Sequence, residues 1–214
     1  MAPHGMSDES TLQFPGGGLR FGALGENWLH VCVDMQRMFA EETPWQADWM
    51  PRVLPTIVRL VERSPERTLF TRFIPPASSD EMGGTWRRYY QRWASMTQRR
   101  LDPNMIDLVP ELARHVPPAR VLDKRVYSPW FGGGLSKELQ ALPVDTLVIS
   151  GTETEVCVLA TVLGAIDQGY RVVIAEDAIC SSADPTHDAM LAIYHSRFGM
   201  QVETAIVADI LEAV

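Results

Sequence analysis

The stretch "VDTLVISGTETEVCVLATVLGAIDQGYRVVIAED", residues 144–177, decides the fold. Residues 144–150 carry the apolar run Leu147–Ile149 and read as a buried strand. Residues 154–169 repeat apolar positions at helical spacing and stop at Gly169, a residue suited to the left-handed position past a helix end. A second apolar run follows over 170–177. Strand, helix and strand in this order, with both strands apolar on both faces, predict a parallel sheet covered by helices on each side.

The same alternation extends outward in both directions. Strands are expected at 28–34, 67–73, 119–124 and 201–207, and helices at 47–64, 135–142, 184–199 and 208–214. A weak helix or turn is expected at 105–113. In the 47–64 helix, Pro51 and Pro55 fit the first turns. In the 184–199 helix, Asp184 reads as the N-cap, Pro185 as the first helical residue and Gly199 as the stop. The expected architecture is α/β: a three-layer Rossmann-like fold whose six-stranded, mostly parallel sheet is flanked by helices. Residues 1–26, rich in Gly and polar residues, read as a flexible or irregular N-terminal arm, and 27–214 as one domain. Residues 75–104 carry no convincing strand and many aromatic and polar residues. Loops of that length inside a domain are usually functional or mobile.

Composition narrows the class. The chain has 214 residues, 46% of them hydrophobic and 21% charged, which is ordinary for a globular domain able to bury a core. Its formal net charge of −8 opposes non-specific nucleic-acid binding, which needs cationic surface. No apolar run reaches the roughly 18 residues of a membrane span, and no leader pattern opens the chain. Three cysteines, Cys32, Cys157 and Cys180, are an odd number without metal-like spacing. Free thiols in the reducing cytoplasm are expected.

Ligands of open parallel sheets gather at the carboxyl ends of the strands. Asp34 ends the first expected strand, Lys124 ends the third, and Cys157 lies just past the fourth, in the first helical turn. A carboxylate, an ammonium and a thiol therefore share one edge. A thiol in a first turn feels the positive end of the helix dipole, and a nearby lysine adds to it. A carboxylate can take the thiol proton and later deliver it to a leaving amine. Free N–H groups at the helix start can hold an oxyanion. Taken singly, Cys157 reads equally well as a small core residue, Asp34 as a turn residue and Lys124 as a solvated side chain.

Three segments, "VDMQRMF" (33–39), "KRVYSPWF" (124–131) and "GTETEVCV" (151–158), resemble in order and spacing the signatures of the isochorismatase-like cysteine hydrolases, the isochorismatase/nicotinamidase superfamily. "GYRVVIAEDAICSS" resembles a further segment of that family, and the likeness runs over about residues 28–210. The resemblance implies Cys157 as nucleophile, Asp34 as general acid/base and Lys124 as the stabilising cation. It also implies a cis peptide at Thr152–Glu153 and an oxyanion hole from the Glu153 and Cys157 N–H groups. It implies a homodimer or homotetramer acting on a small molecule.

Several positions depart from the family pattern. Glu155 stands where Asp or Asn is usual, and "SPWF" replaces the commoner Ser-Ala-Phe. No Asp-x-His occurs, and Pro75 stands where a metal-binding histidine of many nicotinamidases falls, so no metal and no cofactor is expected. The cysteine favours C–N hydrolysis of an amide, carbamoyl or related group. The alternatives are vinyl-ether cleavage of the isochorismatase type and a non-catalytic binding member. Trp45, Trp86, Tyr90, Trp93 and Trp130 make the flanking loops aromatic, as a pocket wall or as core under loops. Trp86, Tyr90, Trp130 and Phe131, with Gln36 and Phe39 of the first signature, are the candidate substrate-binding residues. Arg87, Arg88 and Arg92 read as a solvated face, His30 as a satisfied buried residue, and His187 and His195 as helix-surface groups.

Overall fold

Six strands lie parallel in one sheet: β1 (Trp28–Val33), β2 (Thr68–Phe73), β3 (Arg120–Lys124), β4 (Thr146–Thr152), β5 (Arg171–Cys180) and β6 (Val202–Ala205). The computed structural model describes residues 18–214. Strand order is β3-β2-β1-β4-β5-β6. The chain winds outward from β1 to β3, then returns to set β4 against the other side of β1. That reversal opens a crevice at the carboxyl ends of β1 and β4.

The β1–β4 register runs from Trp28 opposite Thr146 to Val33 opposite Gly151. Gly151 is required there. It sits at φ +109°, and a Cβ would lie 2.1 Å from the Val33 carbonyl oxygen. Beyond it the β4–β5 pairing shifts register between Ile149 and Gly151, and β5 runs on to Cys180. Asp177, expected at a strand end, therefore lies inside β5, where its Oδ1 accepts the Val207 N–H at 2.8 Å.

Both faces of the sheet are buried, with neighbouring residues assigned to opposite sides. Trp28 and Cys32 of β1 join one core with Phe70 and Val173, covered by α2 (Met50–Arg63) and α8 (Val207–Glu212) through Ile57, Leu60 and Ile210. Leu29, Val31 and Val33 join the other core with Leu147 and Ile174. It is covered by α5 (Gly134–Gln140), α6 (Leu159–Asp167) and α7 (Asp184–Ser196) through Leu139, Val162 and Tyr194. Each such aliphatic side chain contributes about 1.5–3 kcal/mol on burial. Among the described residues, no helix is long and apolar enough to cross a membrane.

Four expectations change. Residues 18–26 of the expected loose arm are packed: Leu24 is buried, the Gly18 N–H reaches Thr204 O at 2.8 Å, and the Phe21 N–H reaches Glu203 at 2.9 Å. Residues 1–17 lie outside the described residues. Residues 75–104 contain a helix, α3 (Gly84–Arg92). Pro55 sits inside α2, past its first turn, on an exposed face where water can reach the carbonyl left without a donor. Asp184 is the first residue of α7, and the N-cap position belongs to Ala183. The 105–113 region resolves into a short 3-10 turn, Pro103–Ile106, and α4 (Pro110–Ala113).

Candidate active site

Asp34 follows β1 directly, with φ +50°, a left-handed backbone uncommon for a residue with a side chain. Its neighbour strand holds it there: the Asp34 N–H bonds Thr71 O and Thr71 Oγ1, both at 3.2 Å, and Thr71 Oγ1 donates to Asp34 Oδ1 at 2.6 Å. The other carboxylate oxygen, Oδ2, accepts from Lys124 Nζ at 2.6 Å. Lys124, the last residue of β3, also reaches Cys157 Sγ at 3.3 Å and Val126 O at 3.3 Å. Asp34 is 0%, Lys124 6% and Cys157 6% exposed. Three side chains from β1, β3 and the turn after β4 thus meet around one sulfur.

The turn is a π-helical one, Thr154–Val158, leading into α6. Wider turns of this kind occur disproportionately at functional sites. It is pinned from three directions. Thr154 Oγ1 donates to Cys180 O at 3.1 Å, Thr161 Oγ1 donates to Cys157 O at 2.7 Å, and Glu155 Oε1 accepts from Ser181 Oγ at 2.8 Å and from Thr186. Glu155, the departure noted in the sequence, therefore ties the turn to the start of α7. The peptide bond Thr152–Glu153 is cis.

The electrostatics are those of a dry site. Burial first, then the Asp34 charge and hydrogen bond, push the Cys157 thiol well above its usual range, against the opposing pull of Lys124. Burial pulls Lys124 down, but Asp34 and Cys157 outweigh it and hold the ammonium above its ordinary value. The resting thiol is therefore neutral and sits beside a charged lysine. Burial thus opposes the thiolate that the helix start and Lys124 favour.

Cys157 lines a cavity of about 40 Å³, room for only a small group. Its walls are Phe39, Trp45, Phe73, Tyr89 and Tyr127, with Val156 and Glu153 completing the lining. Larger cavities, about 300 Å³ beside His187 and about 440 Å³ beside Arg72, do not include the thiol. Lys124 Nζ stands 5.0 Å from the centre of the Phe73 ring, a cation–π contact.

Of the six candidate binding residues, only Phe39 lines this cavity. Tyr90 is fully buried behind it, stacked 6.2 Å from Trp86, and its hydroxyl has no hydrogen-bond partner. Trp86 packs on Tyr127 at 4.8 Å, one layer back. Gln36 is a buried clamp, accepting the Phe73 N–H at 2.6 Å and donating to Phe73 O and Ile106 O. Trp130 belongs to the opposite core: it stacks on Tyr170 at 5.9 Å, and its Nε1 donates to Thr161 O at 2.9 Å. Phe131 is 76% exposed. Tyr89, Tyr127, Phe73 and the Glu153 side chain were not singled out from the sequence. Tyr127 lies within the "KRVYSPWF" segment, which was the available signal. Among the described residues, no three His, Cys, Asp or Glu side chains gather to hold a metal.

Residues 29–206 match the isochorismatase domain family model. The chain is 28% identical over 128 residues to maleamate amidohydrolase of Pseudomonas putida, an alignment covering 60% of this chain and 57% of that protein. The chain thus spans little more than half of that relative, and 48% of the Bacillus subtilis isochorismatase family protein PncA, at 30% identity over 41% of this chain. Among solved structures, the fold superposes on a cysteine hydrolase from Pseudomonas syringae pv. phaseolicola with TM-score 0.73 and 20% identity, covering 87% of this chain and 92% of that one. It also superposes on N-carbamoylsarcosine amidase from Thermoplasma acidophilum with TM-score 0.66 and 22% identity, covering 85% and 97%. With its parallel sheet, its three converging side chains and a family match over residues 29–206, the chain belongs to the isochorismatase domain family.

Proposed function

We propose that this protein is a cysteine hydrolase that cleaves a C–N bond of a small amide or carbamoyl compound through a thioester. The observation that carries this reading is Cys157 Sγ at 3.3 Å from Lys124 Nζ, itself 2.6 Å from Asp34, at the floor of the aromatic cavity. The names of its relatives, an amidohydrolase and an amidase, support amide chemistry.

The reaction follows from the resting charges. The thiol carries its proton until a carbonyl carbon arrives beside it, and Asp34 then accepts that proton as the sulfur attacks. Lys124 stabilises the negative charge passing between sulfur and carboxylate. The carbonyl oxygen becomes an oxyanion facing the Glu153 and Cys157 N–H groups. When the C–N bond breaks, Asp34 returns the proton to the departing nitrogen, leaving an acyl-thioester and an amine or ammonia. A water then gives a proton to Asp34 and attacks the thioester. The acid leaves, and the proton returns to sulfur.

Ammonia release across a panel of small primary amides and carbamoyl compounds tests this reading. Turnover of at least one compound, abolished in Cys157→Ala, is expected. Turnover of isochorismate that survives Cys157→Ala would overturn it in favour of ether cleavage. Absence of turnover, together with equal slow alkylation of all three cysteines, would favour a non-catalytic binding member.

A further inference from the structure

The cavity beside Cys157 is lined by five aromatic residues and one acidic residue. Phe39 and Trp45 lie 6.2 Å apart, Trp45 and Phe73 6.0 Å, Trp45 and Tyr89 5.8 Å, and Phe73 and Tyr127 6.5 Å between ring centres. Glu153 is the acidic side chain among the residues lining it. Aromatic faces carry negative quadrupole charge and attract cations, and a carboxylate set among them adds a full charge of the same sign. The two features select the same ligand.

Glu153 is also held for the task. The Ser182 hydroxyl and backbone N–H both bond its carboxylate, and Ser182 Oγ donates to Oε1. Burial and the neighbouring Glu155 charge make its ionised form costly, and among the described residues no Lys or Arg forms an ion pair with it. Ser182 can orient the carboxylate but cannot neutralise it. Lys124, the cation near this cavity, is engaged at the far end by Asp34 at 2.6 Å. The Glu153 carboxylate therefore lacks a counter-ion that a ligand can supply.

We propose that Glu153 is a substrate-binding residue selecting amides that carry a cationic nitrogen, an ammonium or a protonated amine, and rejecting those that carry a carboxylate. The proposal rests on the hydrolase reading above for the word substrate, but the ligand preference stands apart from turnover. The cation sits between Glu153 and the faces of Tyr89, Tyr127 and Trp45, and the amide carbonyl reaches Cys157. The curated relative named for maleamate, an anionic amide, would on this basis differ from this chain in preference.

Four amides in two size-matched pairs separate the cases: glycinamide as cation against neutral propionamide, and malonamate as anion against neutral malonamide. Their binding is measured by calorimetry on Cys157→Ala, which cannot turn them over. Glycinamide is expected to bind about tenfold more tightly than propionamide, and malonamate more weakly than malonamide, as a charge-assisted hydrogen bond requires. Glu153→Gln added to Cys157→Ala should erase the tenfold advantage. Ser182→Ala, at an exposed position that leaves the fold intact, should reduce it in part. Equal binding within each pair, or a glycinamide preference that survives Glu153→Gln, overturns the proposal. In the active enzyme, the ratio of kcat/KM for glycinamide to that for propionamide should be about ten and fall in Glu153→Gln. Selective glycinamide binding without any turnover would sustain the ligand preference while removing the hydrolase reading. Turnover without charge preference would do the reverse.

Discussion

Lys124 Nζ and Asp34 Oδ2 are 2.6 Å apart with both side chains buried, the lysine at the end of β3 and the aspartate just past β1. Strand β2 separates them in the sheet, so the pair spans a strand at its carboxyl edge. Removing one partner of a buried pair leaves the other charged and dry, which costs about 3–5 kcal/mol. Lys124→Met and Asp34→Asn are each expected to lose stability of that order in urea unfolding. The double variant should lose clearly less than the sum. Additive losses would show that the two groups do not interact. Asp34→Asn should also lower kcat by at least about 100-fold, the typical contribution of a proton-transfer group.

The neutral resting thiol predicts a particular alkylation profile. Cys157 lines a cavity, whereas Cys32 is 0% exposed and pushed up to about 12 by burial. Iodoacetamide should therefore modify Cys157 before Cys32, read by mass spectrometry of the digested protein. The Cys157 rate should keep rising with pH beyond the ordinary thiol midpoint of about 8.5, because its titration lies above that value. Lys124→Met removes the one group pulling that titration down, so labelling should slow further. A plateau below pH 7 would mean the sulfur rests as thiolate.

How much of this was readable beforehand depends on what sets each feature. The central strands were legible because burial on both faces favours short apolar runs, as in Leu147–Ile149. Asp34, Lys124 and Cys157 were legible because strand ends in such a sheet share an edge, and three signature segments carry them. The cavity wall was not. Tyr89 and Tyr90 are adjacent on α3, about 100° apart around the helix axis, so only the helix's final rotation puts Tyr89 in the wall and Tyr90 behind it. That rotation is set by packing of Trp86 on Phe73 and Tyr127, residues outside α3. Glu153 was assigned only for its backbone, since nothing local says which way its carboxylate turns.

His30 gives the protein an acid limit. It is fully buried on β1, bonded to Ser150 Oγ at 2.7 Å, and burial lowers its pKa to about 3. In the unfolded chain it takes a proton near pH 6.5. Between these values the unfolded state binds a proton that the folded state refuses. Its stability contribution is therefore complete above pH 6.5 and is lost as pH falls toward 3, by about 1.4 kcal/mol per unit. His30→Gln keeps a hydrogen-bonding side chain without the titration. The stability difference between pH 7 and pH 4.5, measured by urea unfolding, should shrink in that variant by about 2–3 kcal/mol. An unchanged difference would place the acid sensitivity elsewhere.

Trp130 and Gly164 make the clearest test of where the second aromatic layer belongs. A Cβ at Gly164 would lie 2.1 Å from the Trp130 ring, so the indole fills the space that α6 leaves by having no side chain there. The same indole donates to Thr161 O and stacks on Tyr170. Gly164→Ala gains helix propensity, worth about 1 kcal/mol in an unhindered helix. Here it must displace a packed ring, and overpacking typically costs about 1–3 kcal/mol. The clash outweighs the propensity because the obstructing atoms belong to a rigid ring held on two sides. Gly164→Ala is therefore expected to lower Tm, whereas Gly164→Ala combined with Trp130→Leu should recover part of the loss. Trp130→Phe should lower stability through the lost indole hydrogen bond while leaving KM for a small amide unchanged, since the ring faces the core opposite the aromatic cavity. A several-fold rise in KM with stability unaltered would return Trp130 to the substrate wall.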